Sequence, residues 1–266
     1  MRSMTRMGWL AAAAAAAAGA APPAVGQAPQ DRGLEIAREA DRRQSGFGDY
    51  SADLEMLLRN RQGQESLRRL RIRILEQKDD GDKGWVYFEE PADVKGTALL
   101  TFSHKTGNDD QWLFLPALSR VKRISSTNKT GPFMGSEFSY EDISSQEVEE
   151  YTYRYLRDED LEGRAAFVVE RRAVDPRSGY TREVAWVDRE HYYTMKVDYY
   201  DRKDELLKTL RQLDYAPYAG RFWKPGRLVM VNHQTGKSTE VRWQHYTFGN
   251  KLVESDFDPQ RLSSAW

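Results

Sequence analysis

The chain has 266 residues, 40 Lys and Arg against 41 Asp and Glu, no cysteine, 39% apolar residues and 12% aromatic ones. This composition supplies a core and excludes an intrinsically disordered chain, and a net charge of −1 is too balanced for a protein held to nucleic acid by bulk charge. Without cysteine there is neither a disulfide framework nor a thiolate metal site, so stability must come from packing.

The N-terminus reads as an export signal. Arg2 and Arg6 precede Gly8-Trp9-Leu10, eight alanines from Ala11 to Ala18, and a small-residue end at Ala24-Val25-Gly26. Pro22-Pro23 stops the apolar run before the roughly 20 residues that a membrane span needs. Residues 1–27 are therefore expected to be a cleaved signal peptide. Residues 28–266 then form one soluble, exported domain, not itself a lipoprotein because no cysteine follows the signal.

Residues 32–44 place Leu34, Ile36, Ala37 and Ala40 at near-helical spacing, so one amphipathic helix opens the domain. After Gly46-Phe47-Gly48 the period becomes two: Tyr50, Ala52, Leu54, Met56 and Leu58 alternate with mostly polar residues, and Leu70, Ile72 and Ile74 alternate with Arg69, Arg71 and Arg73. Comparable stretches follow at 85–89, 97–104, 112–115, 121–124, 151–156, 165–174, 182–187, 193–200, 206–215, 227–233 and 239–248. Turn clusters such as 79–82, 107–110, 175–179 and 234–237 punctuate them. The pattern predicts a mainly β chain of about 11–12 antiparallel strands in a meander. So wide a sheet must curl, into a barrel or into an open, strongly curved half-barrel whose inner face needs cover.

Three segments in the middle stand out. The run 88–97 ends a strand at Pro91 and restarts one after Gly96. The run 112–118 is apolar on both faces, Trp112 and Phe114 on one side and Leu113 and Leu115 on the other, so it must be covered twice. The run 131–142 opens on Gly-Pro and carries Phe133, Met134, Phe138 and Tyr140 with little to hold them in a ladder, as expected of a mobile loop or short helix that lies as a lid across the concave face, or of an ordinary surface loop that tucks its aromatics into the core. A charge at Phe133 is then expected to cost ligand retention more than stability, and one at Trp112 to cost both.

The runs EEPADVKGTALLTF, WLFLPALSRVKRI and FMGSEFSYEDI, in this order, resemble the outer-membrane lipoprotein-sorting proteins of the LolA-like superfamily, in a branch that often accompanies resistance-nodulation-division type exporters. The resemblance spans the expected mature chain. It implies an unclosed antiparallel half-barrel with helices plugging its concave side, holding acyl chains in the periplasm, with no catalysis, cofactor or metal. No arginine of this sequence matches the one that gates the lid in the better-known carriers. The partners so implied are a lipid or acylated lipoprotein, an inner-membrane exporter of that type and an outer-membrane acceptor, with the carrier itself a monomer.

Elementary energetics agree with a carrier. An acyl chain of about sixteen carbons costs up to roughly 12 kcal/mol to expose to water, at about 0.8 kcal/mol per methylene. The expected apolar site comprises Trp112, Phe114, Leu118, Phe133, Met134, Phe138 and Tyr140, with Met56, Ile72, Trp186 and Met195 from the facing strands. Arg120, Lys122 and Arg123 flank the apolar strand as contacts for an anionic headgroup or a partner, or as a solvated strand edge. Two other functions compete: a lipid- or stress-sensing subunit on the same fold, and a hydrolase of envelope glycans or esters. The latter lacks support. His104, His191, His233 and His245 show no metal-ligand spacing, although His233 and His245 could meet across a hairpin. There is no Gly-x-Ser-x-Gly elbow and no phosphate-cradling loop, and the run 79–82 reads as a solvated turn, since it lacks the later ligands of a calcium loop.

Overall fold

The computed structural model describes residues 27–125 and 128–263. The proposed signal segment lies, but for Gln27, outside the described residues. In chain order the elements are α1 (Pro29–Gln44), β1 (Asp49–Arg59), β2 (Glu65–Leu75), β3 (Lys83–Glu90), β4 (Ala98–Phe102), β5 (Asp110–Leu115), β6 (Arg120–Ile124), α2 (Tyr140–Ile143), β7 (Tyr151–Leu161) and β8 (Arg164–Ala173). They continue with β9 (Arg182–Asp188), β10 (Thr194–Tyr200), β11 (Leu206–Leu213), the short pair β12 (Ala216–Tyr218) and β13 (Phe222–Lys224), then β14 (Arg227–Asn232) and β15 (Ser238–Phe248).

Thirteen strands form one antiparallel sheet in the order β6-β5-β4-β3-β2-β1-β15-β14-β11-β10-β9-β8-β7. β6 and β7 are its edges, and they do not pair, so the sheet is an open half-barrel and not a closed barrel. It carries one or two strands more than the alternation predicts. β12 and β13 make a separate hairpin.

The period-two pattern sets the sides. Tyr50, Ala52, Leu54, Met56 and Leu58 of β1 face inward with Leu70 and Ile72 of β2, whereas Asp53 and Glu55 face outward, opposite Arg71 and Arg69. The outer ion pairs Arg69–Glu55 (3.4 Å) and Arg71–Asp53 (3.7 Å) are half-exposed and contribute little beyond solubility. One continuous core takes residues from every strand of the large sheet: Phe88, Leu99 and Leu113 near one edge, Met230 and Val241 at the centre, and Tyr153, Phe167 and Ala185 near the other. A single cluster touching all thirteen strands requires the sheet to curl around it.

The outer face is also dry in two places. Trp85, Ala98, Leu100, Trp112 and Phe114 are packed under the C-terminal segment through Leu252, Phe257 and Leu262, with Trp85 and Phe257 rings 6.4 Å apart. Val168, Trp186 and Met195 form a second outer cluster with Leu156, Leu161, Tyr215 and Trp223.

Helix α1 covers the inner face next to the β7 edge. Pro29 in its first turn, Asp31 near its N-terminus and Arg42 and Arg43 in its last turn suit the helix ends and dipole, and Ile36 is buried in the core. Gly33 explains how close the helix lies. A Cβ there would stand 2.8 Å from the Tyr155 amide nitrogen and 2.9 Å from that of Arg154, so only glycine lets the helix rest on the β7 backbone.

Candidate functional site

The topology dictates what covers the other half of the inner face. β6 and β7 follow each other in sequence but occupy opposite edges of the sheet, so the chain between them must cross the open side. Residues 131–142 make the crossing. Phe133 is 1% exposed, its ring 5.7 Å from Phe88 and 5.6 Å from Tyr140, and Phe138 is buried beside it. An isolated bridge from Pro132 to Ser139, with the Phe133 amide donating to the Phe138 carbonyl (2.7 Å), folds the segment on itself. Its turn holds Met134 at φ 49° and Gly135 at φ 76°. The first costs strain in a side-chain-bearing residue, and Arg68 of β2 holds it by donating to the Met134 carbonyl.

Polar contacts tie the segment to the sheet. Lys208 of β11 donates to Asp142 Oδ2 (2.5 Å) and to the Glu137 carbonyl (3.0 Å), and both members of the ion pair are almost fully buried. The Tyr180 hydroxyl donates to Asp142 Oδ1 (2.9 Å) and the Ser139 amide to Oδ2 (2.6 Å), which satisfies the carboxylate on both oxygens. Asn232 and Thr239 reach Glu137 in the same way, through its carboxylate and its amide.

Open volume lies elsewhere. A cavity of about 820 Å³ sits between α1 and the inner face. Ile36, Ala37 and Ala40 of the helix form one wall, and Tyr153, Val169, Ala185 and Val187 of β7 to β9 the other. Phe47, Tyr50, Tyr192 and Trp223 stand around it, and its charged and amide lining includes Asp41, Gln44, Glu76, Lys78, Asp80, Asp82, Lys105, Glu147, Glu149 and Lys224. Burial pushes the Asp82 carboxyl up to about 7 and the Lys224 ammonium down to about 8. Lys224 Nζ lies 4.9 Å from the Phe47 ring centroid and 5.3 Å from that of Tyr50. Arg171, also on the wall, is committed to the buried Glu183 (2.5 Å). A smaller cavity of about 360 Å³ fills the gap between the two sheet edges, near Gln111, Ile124, Tyr151 and Glu141. Burial, then the neighbouring Asp142, pushes the Glu141 carboxyl up to about 7.

The residues singled out from sequence fall into three sets. Phe133, Met134, Phe138, Tyr140, Met56 and Ile72 come together in the inner core. Trp112 and Phe114 project from the other face of β5, because Leu113 takes the inward phase and the C-terminal segment covers the outer one. Trp186 and Met195 are likewise in the outer cluster, with Trp186 Nε1 donating to Glu159 (3.1 Å). Leu118 is 66% exposed, in the turn before β6. Arg120, Lys122 and Arg123 are exposed on the edge strand β6, where Lys122 pairs with Leu113, and Arg123 stands over Trp112 and pairs with Asp110. None of these residues lines either cavity. The turn at 79–82 is not wholly solvated: Asp80 and Asp82 border the larger cavity.

Sequence reasoning missed Arg68, Lys208, Asp142, Gln44 and Lys224. The first two carried a signal, since each cation occupies the inward phase of an apolar alternation, Arg68 with Leu70 and Ile72, and Lys208 with Leu210.

The histidines do not assemble a reaction centre. His104 is held between Asp80 (2.6 Å) and Asp110 (3.4 Å); burial lowers its pKa, but the two carboxylates outweigh this and raise it. His233 bonds Thr209 (2.8 Å) and His245 bonds Asp53 (2.9 Å), so the two do not pair with each other. Among the described residues no group of three or more His, Cys, Asp or Glu is placed to hold a metal ion, and no helix is long and apolar enough to cross a membrane.

A family model described as uncharacterized-protein-like matches residues 80–264. No curated protein matches the chain. Among solved structures, a Vibrio parahaemolyticus domain named for outer-membrane lipoprotein sorting is 50% identical. It superposes with a TM-score of 0.87 over 88% of this chain and 99% of that one. A DUF1329 family protein from Desulfovibrio piger is 28% identical, with a TM-score of 0.84 over 89% and 100% of the two chains. A LolA superfamily protein from Nitrosomonas europaea, 21% identical over 85% and 97% of the chains with a TM-score of 0.68, shares the fold. With half its residues shared across nearly the whole of the Vibrio domain, and with the unclosed sheet plugged on its inner face, this chain belongs to the family of that outer-membrane lipoprotein-sorting domain.

Proposed function

We propose that the protein is a periplasmic carrier that takes up the acyl chain of a lipid or lipoprotein and moves it toward the outer membrane. The observation that carries this is the cavity of about 820 Å³ between α1 and the inner face of the sheet, with aliphatic and aromatic side chains on its helix and β7 to β9 walls and charged ones around its rim. That volume is within the roughly 300–1,000 Å³ of sites that bury most of a small ligand. Shielding a chain of sixteen carbons there removes up to about 12 kcal/mol of exposure. The lid residues Phe133, Met134, Phe138 and Tyr140, with Met56 and Ile72 beneath them, extend this site when the lid lifts, because they belong to the same continuous core. Trp112, Phe114, Trp186 and Met195 stand outside the proposal, since they face the other side of the sheet.

In this reading residues 1–27 direct export, an inner-membrane exporter of the resistance-nodulation-division type delivers the cargo, and the reaction performed is transfer without catalysis. Protein purified gently from its host should retain lipid, visible by native mass spectrometry, and the emptied protein should take up a fluorescent fatty acid. Empty protein that takes up none would overturn the carrier. Lipid that is bound but never passes to acceptor vesicles would favour a sensing role.

A further inference from the structure

The cavity under α1 is apolar where the helix faces β7 to β9 and charged around its rim, and two of its polar side chains make no hydrogen bond among the described residues. The side-chain amide of Gln44, at the C-terminal end of α1, is buried at both its nitrogen and its oxygen, and neither atom has a hydrogen-bond partner. Lys224 of β13 makes ring contacts with Phe47 and Tyr50 but no hydrogen bond or ion pair among the described residues. Buried polar groups are normally paired, and the Asp82 and Glu76 carboxylates act on this ammonium through space without bonding to it, so an anion in contact would add the bond it lacks.

The carboxylates nearby are already engaged. Glu76 accepts from the amides of Gly46 and Gly48, and Asp41 accepts from Ser45. Asp82 accepts from the Gln77 amide (3.3 Å), and its carboxyl, pushed up to about 7, is largely neutral in mildly acidic solution. Of the cations lining this cavity, Arg171 is bound to Glu183, Lys105 donates to the Lys78 carbonyl (3.0 Å) and Lys78 is exposed, which leaves Lys224, half-buried against the aromatic wall, to meet an incoming anion at short range.

We propose that the cavity takes an amphiphile with an anionic head, the acyl chain lying along Ile36, Val169 and Val187 while Lys224 and Gln44 hold the head. The inference rests on the acyl-carrier reading and specifies the chemistry of its cargo: the ammonium supplies one charge-assisted bond and the Gln44 amide a second donor. An uncharged ester satisfies the walls but leaves Lys224 as it was.

The test uses purified full-length domain and cis-parinaric acid, whose fluorescence reports burial, beside its uncharged methyl ester. The wild-type protein should bind the acid at least about tenfold more tightly than the ester, the scale of one hydrogen bond to a charged group. Lys224→Met should erase that preference by weakening the acid alone, and Gln44→Glu should weaken the acid further while sparing the ester. Circular dichroism melting confirms that both variants fold. Competition by oleate against oleoyl lysophosphatidylglycerol then distinguishes a carboxylate head from a phosphate one, either of which sustains the proposal. Equal binding of acid and ester, unchanged in Lys224→Met, overturns the anionic head and leaves the carrier standing. If neither probe binds, the carrier reading fails with it.

Discussion

At the scale of single residues the cavity rim stores charge that folding would avoid if it could. Asp82 is the clearest case: burial, reinforced by Glu147 and Glu76, raises its carboxyl from the ordinary carboxylate range to about 7. Folded protein therefore binds a proton that unfolded chain has already released between about pH 4 and 7, so stability falls as pH rises through that window and levels off above it. Glu141 and Glu150, both raised to about 7 by burial, act in the same direction. Replacing Asp82 by Asn removes one of these titrations and keeps an acceptor for the Gln77 amide. The variant should melt higher than wild type at pH 8 and close to it at pH 5, as read by differential scanning calorimetry at the two pH values. An equal change at both would mean that Asp82 is not desolvated in solution. Such sites are what a binding cavity in a folded protein leads one to expect, since groups kept from water for a ligand pay their desolvation in its absence.

Among the elements, the crossing segment 131–142 shows how far the sequence could be read. Its aromatic residues and Gly-Pro opening identify it as inner-face cover, and Phe133 and Phe138 do pack there. What periodicity could not give was how firmly it is held. Phe133 is 1% exposed whereas Trp112 is half-buried, so a charge at 133 costs stability as well as any ligand, contrary to the expectation of a loosely lying lid. Sidedness at β5 was equally illegible: a strand apolar on both faces has no polar phase to mark the outside, and the cover of Trp112 and Phe114 comes from residues more than 130 positions later. The cavity under α1 depends on Gly33 meeting the β7 backbone, a contact between elements that no local pattern encodes. The buried pair Lys208–Asp142 makes a sharper prediction. Removing one charge leaves the other buried and unpaired, so Asp142→Leu or Lys208→Met should each destabilise the protein by about 3–5 kcal/mol. The double variant Lys208→Met with Asp142→Leu should cost much less than the sum. Urea unfolding of the four proteins yields the coupling, and hydrogen exchange should show the singles losing protection first at 131–142. Additive losses without local exchange would mean that the pair does not latch the segment.

For the whole molecule, an open half-barrel has two edges to protect, and this one treats them differently. The β7 edge lies under α1, brought within contact of the backbone by Gly33. Among the described residues the β6 edge has no such helix over it, and its exposed residues are Arg120, Val121, Lys122 and Arg123. Three cations in four positions repel an identical edge approaching from a second molecule, which is how unpaired strands avoid sheet extension. Their exposure also suits the alternative of a headgroup or partner contact, and the two roles separate by experiment. Replacing Arg120, Lys122 and Arg123 by Thr keeps the strand propensity and removes the charge. If the charges guard the edge, the triple variant should self-associate with rising concentration in size-exclusion chromatography with light scattering, while the wild-type chain remains monomeric. Its fatty-acid uptake, measured at dilution, should be unchanged, because none of the three side chains lines the cavity under α1. A variant that stays monomeric at high concentration but no longer exchanges lipid with anionic vesicles would instead assign these residues to the membrane or acceptor surface, and the edge would owe its solubility to shortness, five residues being too few to template a partner strand.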